Sequence, residues 1–383
     1  MAFLRNRAVI CINLHSGIQA LAQGMGGVFV LVFLLRAGVS IPATLCAMAL
    51  IVGGRFVTRP AVLASAKRWG LKPLVVFGNL VIALEYALLA EVHGVDAHLL
   101  AYCLVSALGQ SFYWSSYHAY FASLGDSEHR GHQISAGVAL SAVVGIGAPL
   151  LGAWALESVG PRLAFRAVGV VQALAAVPLV ATPNVFVART ADGALRAALP
   201  GVWLFVTDSW FAAAYTLVWQ IALFVSLGES LSAYGGAMAL AALVGAVSGL
   251  FLGRYIDLGN GLRALLIAYT VVAVTVSLRT VSLGTPWLAV AANALGALAG
   301  CLQVPVQMTP VYNLAQASPC ALRFMVAAEG AWDVGCASGC LVAAALIARG
   351  APLSAVIPLA FLGLGAQALL LHRHYSRSAA PVT

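Results

Sequence analysis

Charge is what this sequence has least of. Only 8% of its 383 residues are Asp, Glu, Lys or Arg, whereas a soluble domain uses about 25% to clothe its surface. Lysine is confined to Lys67 and Lys72. No polar interlude is long enough to hold a folded extramembrane domain. The chain contains no G-x-x-x-x-G-K-[ST] loop, so it carries no ATP engine of its own. It also has no C-x-x-C pair; Cys11, Cys46, Cys103, Cys301, Cys320, Cys336 and Cys340 lie mostly in apolar runs and read as small core residues. No metal site, cofactor or catalytic residue is expected.

What is abundant is apolar surface. Hydrophobic residues make up 62% and the mean hydropathy is +0.97, more than one interior can bury. The surplus must face lipid, where only helices and closed barrels satisfy every backbone group. The apolar runs extend about 20 residues without period-2 alternation, which selects helices. The expected class is therefore an all-α polytopic membrane protein. The net charge of +8 does not point to nucleic acid, because the basic residues sit at the ends of the runs. The start, MAFLRNR before a long apolar run, lacks a short h-region and a small-residue cleavage site, and reads as an uncleaved first span.

Twelve spans are predicted, at 8–35, 39–57, 73–92, 97–122, 133–156, 164–183, 201–227, 231–253, 263–282, 286–312, 322–348 and 352–371. Placing the N-terminus inside puts fifteen basic residues on the cytoplasmic side and five (Arg36, Arg162, Arg166, Arg279 and Arg349) outside, in line with the positive-inside rule. Both termini are then cytoplasmic. The polar stretch around 182–196 divides the spans six and six. It predicts an N-terminal bundle over 1–183, a linker over 184–200 and a C-terminal bundle over 201–383. The halves echo each other: His15-Ser16 in span 1 and Asp208-Ser209 in span 7 lie 193 residues apart. Tyr120 precedes Arg130 much as Tyr312 precedes Arg323. Such weak symmetry is what a duplicated six-helix transporter leaves behind.

The sharpest local signal follows span 8: GLFLGRYIDLGNGLR over 249–263. It resembles the loop signature of the major facilitator superfamily, roughly G-x-x-x-D-R-x-G-R-R, with Gly253, Asp257, Gly259 or Gly261, and Arg263 at matching positions and Arg254 beside them. The first-half copy, expected as a loop after span 2, keeps Gly54, Arg55 and Arg59, but Thr58 stands where the family has an acid. Span 5 carries Gly145-Ile146-Gly147-Ala148-Pro149-Leu150-Leu151-Gly152, similar to the G-P-x-x-G-G motif of the antiporter branch. A close small-residue helix contact is the alternative reading of that stretch. The resemblance covers nearly the full chain and implies two pseudo-symmetric six-helix bundles, a monomer, and a cavity lined by spans 1, 4, 7 and 10.

Polar side chains inside hydrocarbon are costly, and here many lie in stripes on those four spans. Span 1 offers His15, Gln19 and Gln23 at steps of four; span 4 offers Gln110, Trp114, Tyr117 and His118. Span 7 offers Asp208, Tyr215, Thr216, Trp219 and Gln220; span 10 offers Asn293, Gln303 and Gln307, with Pro305 and Pro310 as kink sites. Interhelical hydrogen bonding is the alternative for the glutamines, and interfacial anchoring for Tyr117 and His118. The mixture of amides and rings with few charges suits a small organic solute. Acids well inside spans are Glu85, Asp208, Glu329 and Asp333. Asp208, with His15 as its pseudo-symmetric counterpart, is the first candidate for proton coupling, and the Glu329/Asp333 pair is the second. Local pairing is the alternative for each, and structural pairing is expected of Glu85.

The sequence thus predicts a secondary transporter in a cytoplasmic membrane, proton-coupled and exporting. Uptake by a symporter or facilitator of the same fold stays open. So does a membrane-embedded transferase using His118 with Asp126 or the span-11 acids, although the short loops argue against it.

Overall fold

The computed structural model describes residues 7–124, 130–187, 191–256 and 261–378, and their side chains except at 122, 130–142, 250–256, 321 and 377–378. The described residues form helices and no strand. The long rods are α1 (Arg7–Arg36), α2 (Ile41–Trp69), α3 (Leu71–Leu89), α4 (Ala97–Leu124), α5 (Arg130–Ser158) and α6 (Pro161–Ala181). They continue with α7 (Leu199–Ser226), α8 (Leu231–Ile256), α9 (Gly261–Val281), α10 (Pro286–Ala317), α11 (Ala321–Ala348) and α12 (Leu353–Ser376). Among the described residues ten rods are long and apolar enough to cross a membrane. The other two, α4 and α5, have 28 and 29 residues, or about 42 Å of helix each. Large apolar side chains such as Leu104, Leu151, Val170 and Leu362 point outward, as lipid-facing positions require.

The chain divides into two compact units: unit 1 is Met1–Thr190 with Leu231–Ala239, and unit 2 is Ala191–Ser230 with Leu240–Thr383. The first residues of α8 thus belong to unit 1. There Tyr234 donates to the Val28 carbonyl at 3.1 Å, and Gly235 packs against Ala153 and the Pro149 carbonyl.

The span-2 boundary differs from expectation. The predicted loop holding Gly54, Arg55 and Arg59 is helical, because α2 runs on to Trp69 and stops only at Gly70, whose φ of +81° ends the helix. Pro60 lies inside that helix. Nearby Thr58 turns its hydroxyl onto the Gly54 and Arg55 carbonyls, a hydroxyl-to-backbone bond that membrane helices use around prolines. Arg59 is consequently buried and donates to the Ser115 hydroxyl at 2.7 Å.

Beyond Gly70 the Asn184 side chain ties Trp69 and Lys72 together, while the Lys72 ammonium donates to the Val180 and Thr182 carbonyls. At the opposite end of this bundle Asp96 caps α4. The Leu99 amide, 2.8 Å from its carboxylate, is the main cause holding that carboxyl below its ordinary range.

Pro305 and Pro310 lie inside α10. Pro310 offers no N–H to the Val306 carbonyl four residues earlier. The Tyr375 hydroxyl of α12 donates to that carbonyl at 2.8 Å instead.

Candidate functional site

In unit 1 the polar residues of α1 and α4 face one another. The ring of His15, fully buried, has Nδ1 2.6 Å from the Ala175 carbonyl and Nε2 2.8 Å from the Tyr113 hydroxyl. A carbonyl only accepts, so Nδ1 carries a proton; in the neutral ring Nε2 then accepts from Tyr113. Ser16 and Tyr117 share a hydrogen bond at 2.5 Å, and Tyr113 and Tyr117 stack at 5.4 Å. Trp114 and His118 stack at 5.8 Å on the same helix. His118 is exposed and Gln23 is partly exposed. Gln19 is buried, with its amide nitrogen unpartnered among the described residues. Gln110 lies beside Glu85, together with Ser106. Glu85 is buried in these neutral surroundings, with one carboxyl oxygen unpartnered. Asn79 Nδ2 donates to the Gln172 backbone carbonyl and Gln172 Nε2 donates back to Asn79 Oδ1, both bonds 2.7 Å long.

The span-5 stretch works as a packing surface. A Cβ at Gly24 of α1 would collide with Ala148, and one at Gly152 with the Met25 carbonyl. Pro149 is buried and Gly145 is partly exposed.

In unit 2 side chains of α10, α11 and α12 reach Asp208 of α7, and α9 joins them through Gln367. Its Oδ2 accepts from Trp332 Nε1 at 3.1 Å and its Oδ1 from Gln367 Nε2 at 3.3 Å, with the Gln307 amide also turned to it. Gln367 is fully buried and accepts through Oε1 from the Tyr269 hydroxyl at 2.6 Å and from Gln303 at 3.4 Å. The carboxylate is therefore held by neutral donors, and it remains partly exposed. The sequence pointed to Asp208, Gln303 and Gln307; it missed Trp332, Tyr269 and Gln367. A glutamine in the middle of the apolar α12 run was the available signal.

A second cluster lies on α7, which is not uniformly α-helical: Ala213–Val218 form a π segment. Such a segment widens the helix and re-aims side chains, and is frequent at functional sites. Arg279 of α9 donates to the Tyr215 carbonyl in this segment at 2.5 Å. Its guanidinium lies 3.9 Å from the Tyr215 ring centroid and 4.8 Å from that of Trp219. Trp219 in turn donates to Asn293 at 3.0 Å. Gly296 leaves room for the guanidinium, since a Cβ there would collide with it. Arg279 is only 4% exposed. The sequence reading counted it among the outer charges, yet it falls inside the predicted span 263–282, which was the clue to its burial.

Thr216 and Gln220 are exposed and partly exposed respectively. Glu329 and Asp333 are both buried on α11. Of the second loop motif, Gly253 and Arg254 fall on the last turn of α8, and Gly261 and Arg263 open α9. Asp257 and Asp126 lie outside the described residues, as do the side chains of residues 253, 254 and 130. Gly54, Arg55 and Arg59 are helical, as noted.

A search of curated proteins finds no match for this chain. Among solved structures it is similar to a POT family transporter in complex with 5-aminolevulinic acid. That match has 9% identity and a TM-score of 0.75, and covers 98% of this chain and 97% of the other. It is also similar to a mutant form of a peptide transporter, POT, at 14% identity and TM-score 0.69, covering 96% and 94%. At these identities the likeness establishes the fold. The model of the Major Facilitator Superfamily matches residues 16–339. With its membrane-spanning helices and its whole-length structural match, the chain belongs to the major facilitator superfamily, a multi-pass membrane protein and secondary transporter of small solutes.

Proposed function

We propose that the protein exports a small organic solute in exchange for protons, by alternating access between its two bundles, with Asp208 as the group that proton and solute exchange on. The observation that carries this reading is the Asp208 network. A carboxylate inside a membrane helix is retained for a reason, and each partner recorded for this one among the described residues is a neutral N–H donor. Neutral donors orient the carboxylate without neutralising it, so a proton or a cationic group of a solute can compete for it. In unit 2 the rings and amides of Tyr215, Trp219, Asn293, Gln303 and Gln307 are offered to a solute, and in unit 1 those of Gln19, Gln23, Gln110, Trp114 and Tyr117; His15 is taken up by its bonds to Ala175 and Tyr113. Glu329 and Asp333 are the second candidates for coupling. Export is the direction suggested by the span-5 resemblance. The distribution of basic residues favours both termini in the cytoplasm of a cell with this protein in its inner membrane, and the resemblance favours a monomer.

The test is vectorial transport in membrane vesicles, over a solute panel that includes 5-aminolevulinic acid and a dipeptide. A solute that accumulates in inverted vesicles with an acid lumen is exported against protons, and Asp208→Asn abolishes that accumulation. Accumulation in right-side-out vesicles with an acid exterior would overturn the direction and make the protein a symporter. Transport indifferent to the pH gradient would overturn proton coupling.

A further inference from the structure

A cavity of about 640 Å³ opens at one end of unit 1, distinct from the polar stripes of α1 and α4. It falls within the range of about 300–1,000 Å³ typical of small-molecule sites. Five helix ends build it: the last turn of α1, the turn after α3, the end of α5, the start of α6 and the start of α8. Its apolar wall consists of Phe33, Ala90, Val92, Leu156 and Leu231, all buried. Arg36, His93, Glu157 and Arg162 supply the polar lining.

This end carries three guanidiniums, Arg36, Arg162 and Arg166, and three carboxylates, Glu91, Asp96 and Glu157, and their pairing is uneven. Glu91 is shared between two guanidiniums, accepting from Arg166 Nη2 at 2.8 Å and lying 3.2 Å from Arg162 Nε. One carboxylate cannot neutralise two cations. Asp96 is committed to capping α4 through the Leu99 amide. Glu157, the one acid lining the cavity, accepts from the Ser232 amide at 3.0 Å and so serves the first turn of α8. Arg36 has no hydrogen bond or ion pair among the described residues. The cavity thus combines an aliphatic and aromatic wall with the exposed, unpartnered guanidinium of Arg36, the Arg162 guanidinium that shares Glu91 with Arg166, and the Glu157 carboxylate turned to the α8 backbone.

We propose that this cavity binds an anionic amphiphile, with its phosphate or carboxylate head on Arg36 and Arg162 and its apolar body against Phe33, Leu156 and Leu231. Guanidinium groups match such oxyanions in bidentate geometry. The site lies wholly in unit 1 and owes nothing to Asp208, so it stands or falls apart from the transport reading. Two sources share this chemistry: a phospholipid headgroup from the bilayer and a free amphiphilic anion.

The experiment uses the purified full-length protein in nonionic detergent, titrated calorimetrically with dodecyl phosphate, dodecanoate and inorganic phosphate. Saturable binding of the amphiphiles is expected, weakened about tenfold or more in Arg36→Gln and unchanged in Arg349→Gln, which removes an exposed arginine of unit 2. Inorganic phosphate, lacking the apolar body, should bind far more weakly. Equal binding by wild type and Arg36→Gln, or no saturable binding, would overturn the proposal. Native mass spectrometry separates the sources. A phospholipid retained by wild type and lost from Arg36→Gln assigns the site to lipid; amphiphile binding with no retained lipid assigns it to a free anion.

Discussion

His15 on α1 and Asp208 on α7 lie 193 residues apart, at positions that the sequence pairs as counterparts, and their surroundings differ in kind. Both nitrogens of His15 are engaged, and its ring is fully buried. It behaves as a rivet joining α1 to α4 and to the end of α6. Asp208 is partly exposed and, among the described residues, is held by amide and indole N–H groups. A second comparison repeats the contrast. Glu85 on α3 and Arg279 on α9 lie 194 residues apart; Glu85 faces α4 and Arg279 faces α7, each within its own unit. The acid sits among a hydroxyl and an amide; the cation is caged by two rings and a π-segment carbonyl. In both units polar groups sit at the seams between helices, and their chemistry differs from one unit to the other. Unit 1 has become a tightly bonded scaffold along α1, and unit 2 keeps its span-7 carboxylate available.

Close backbone packing is where the halves remain alike, and disturbing it should have the largest effect. Gly152→Val in unit 1 drives a side chain into the Met25 carbonyl, and Gly363→Val in unit 2 drives one against the Thr207 carbonyl and Phe211 amide. Each should cost at least the upper end of about 1–3 kcal/mol, seen as loss of monodisperse protein in detergent chromatography. A folded, active Gly363→Val would show that the two bundles do not share this packing rule.

Next is the cation cage. Arg279→Gln removes a charge-assisted bond and two ring contacts, and should lower stability by about 2 kcal/mol, read from thermal unfolding in detergent. Arg279→Lys keeps the charge and loses the planar fork, so it should fall between. An unfolding temperature unchanged in Arg279→Gln would mean that the cage contributes nothing net. Smallest is the Asn79–Gln172 pair of unit 1. A double-mutant cycle with alanine should give a coupling of about 0.6–1.7 kcal/mol; zero coupling would remove this pair from the scaffold account.

The fold was legible in the sequence because long apolar runs leave the backbone no alternative to helices. Boundaries were less legible where the chain breaks a rule and compensates at a distance. Nothing local shows that Gly54–Pro60 stays helical; the contact that buries Arg59 comes from Ser115, more than fifty residues away. The π segment of α7 has no sequence signature of its own, and its partner Arg279 comes from α9. The Asp208 network was half visible: spacing on α7 and α10 found Asp208, Gln303 and Gln307. Gln367, which links Asp208 to Tyr269, lies alone on α12 and belongs to no stripe.

The central claim is that the proton and the solute meet on Asp208 and that His15 only holds the scaffold. The most direct measurement is proton release on solute binding, by purified protein in weakly buffered detergent solution, for wild type, Asp208→Asn and His15→Gln. The account predicts release from wild type, none from Asp208→Asn, and wild-type stoichiometry from any His15→Gln protein that still folds and binds. Release that persists in Asp208→Asn and vanishes in His15→Gln would contradict it and move coupling to unit 1.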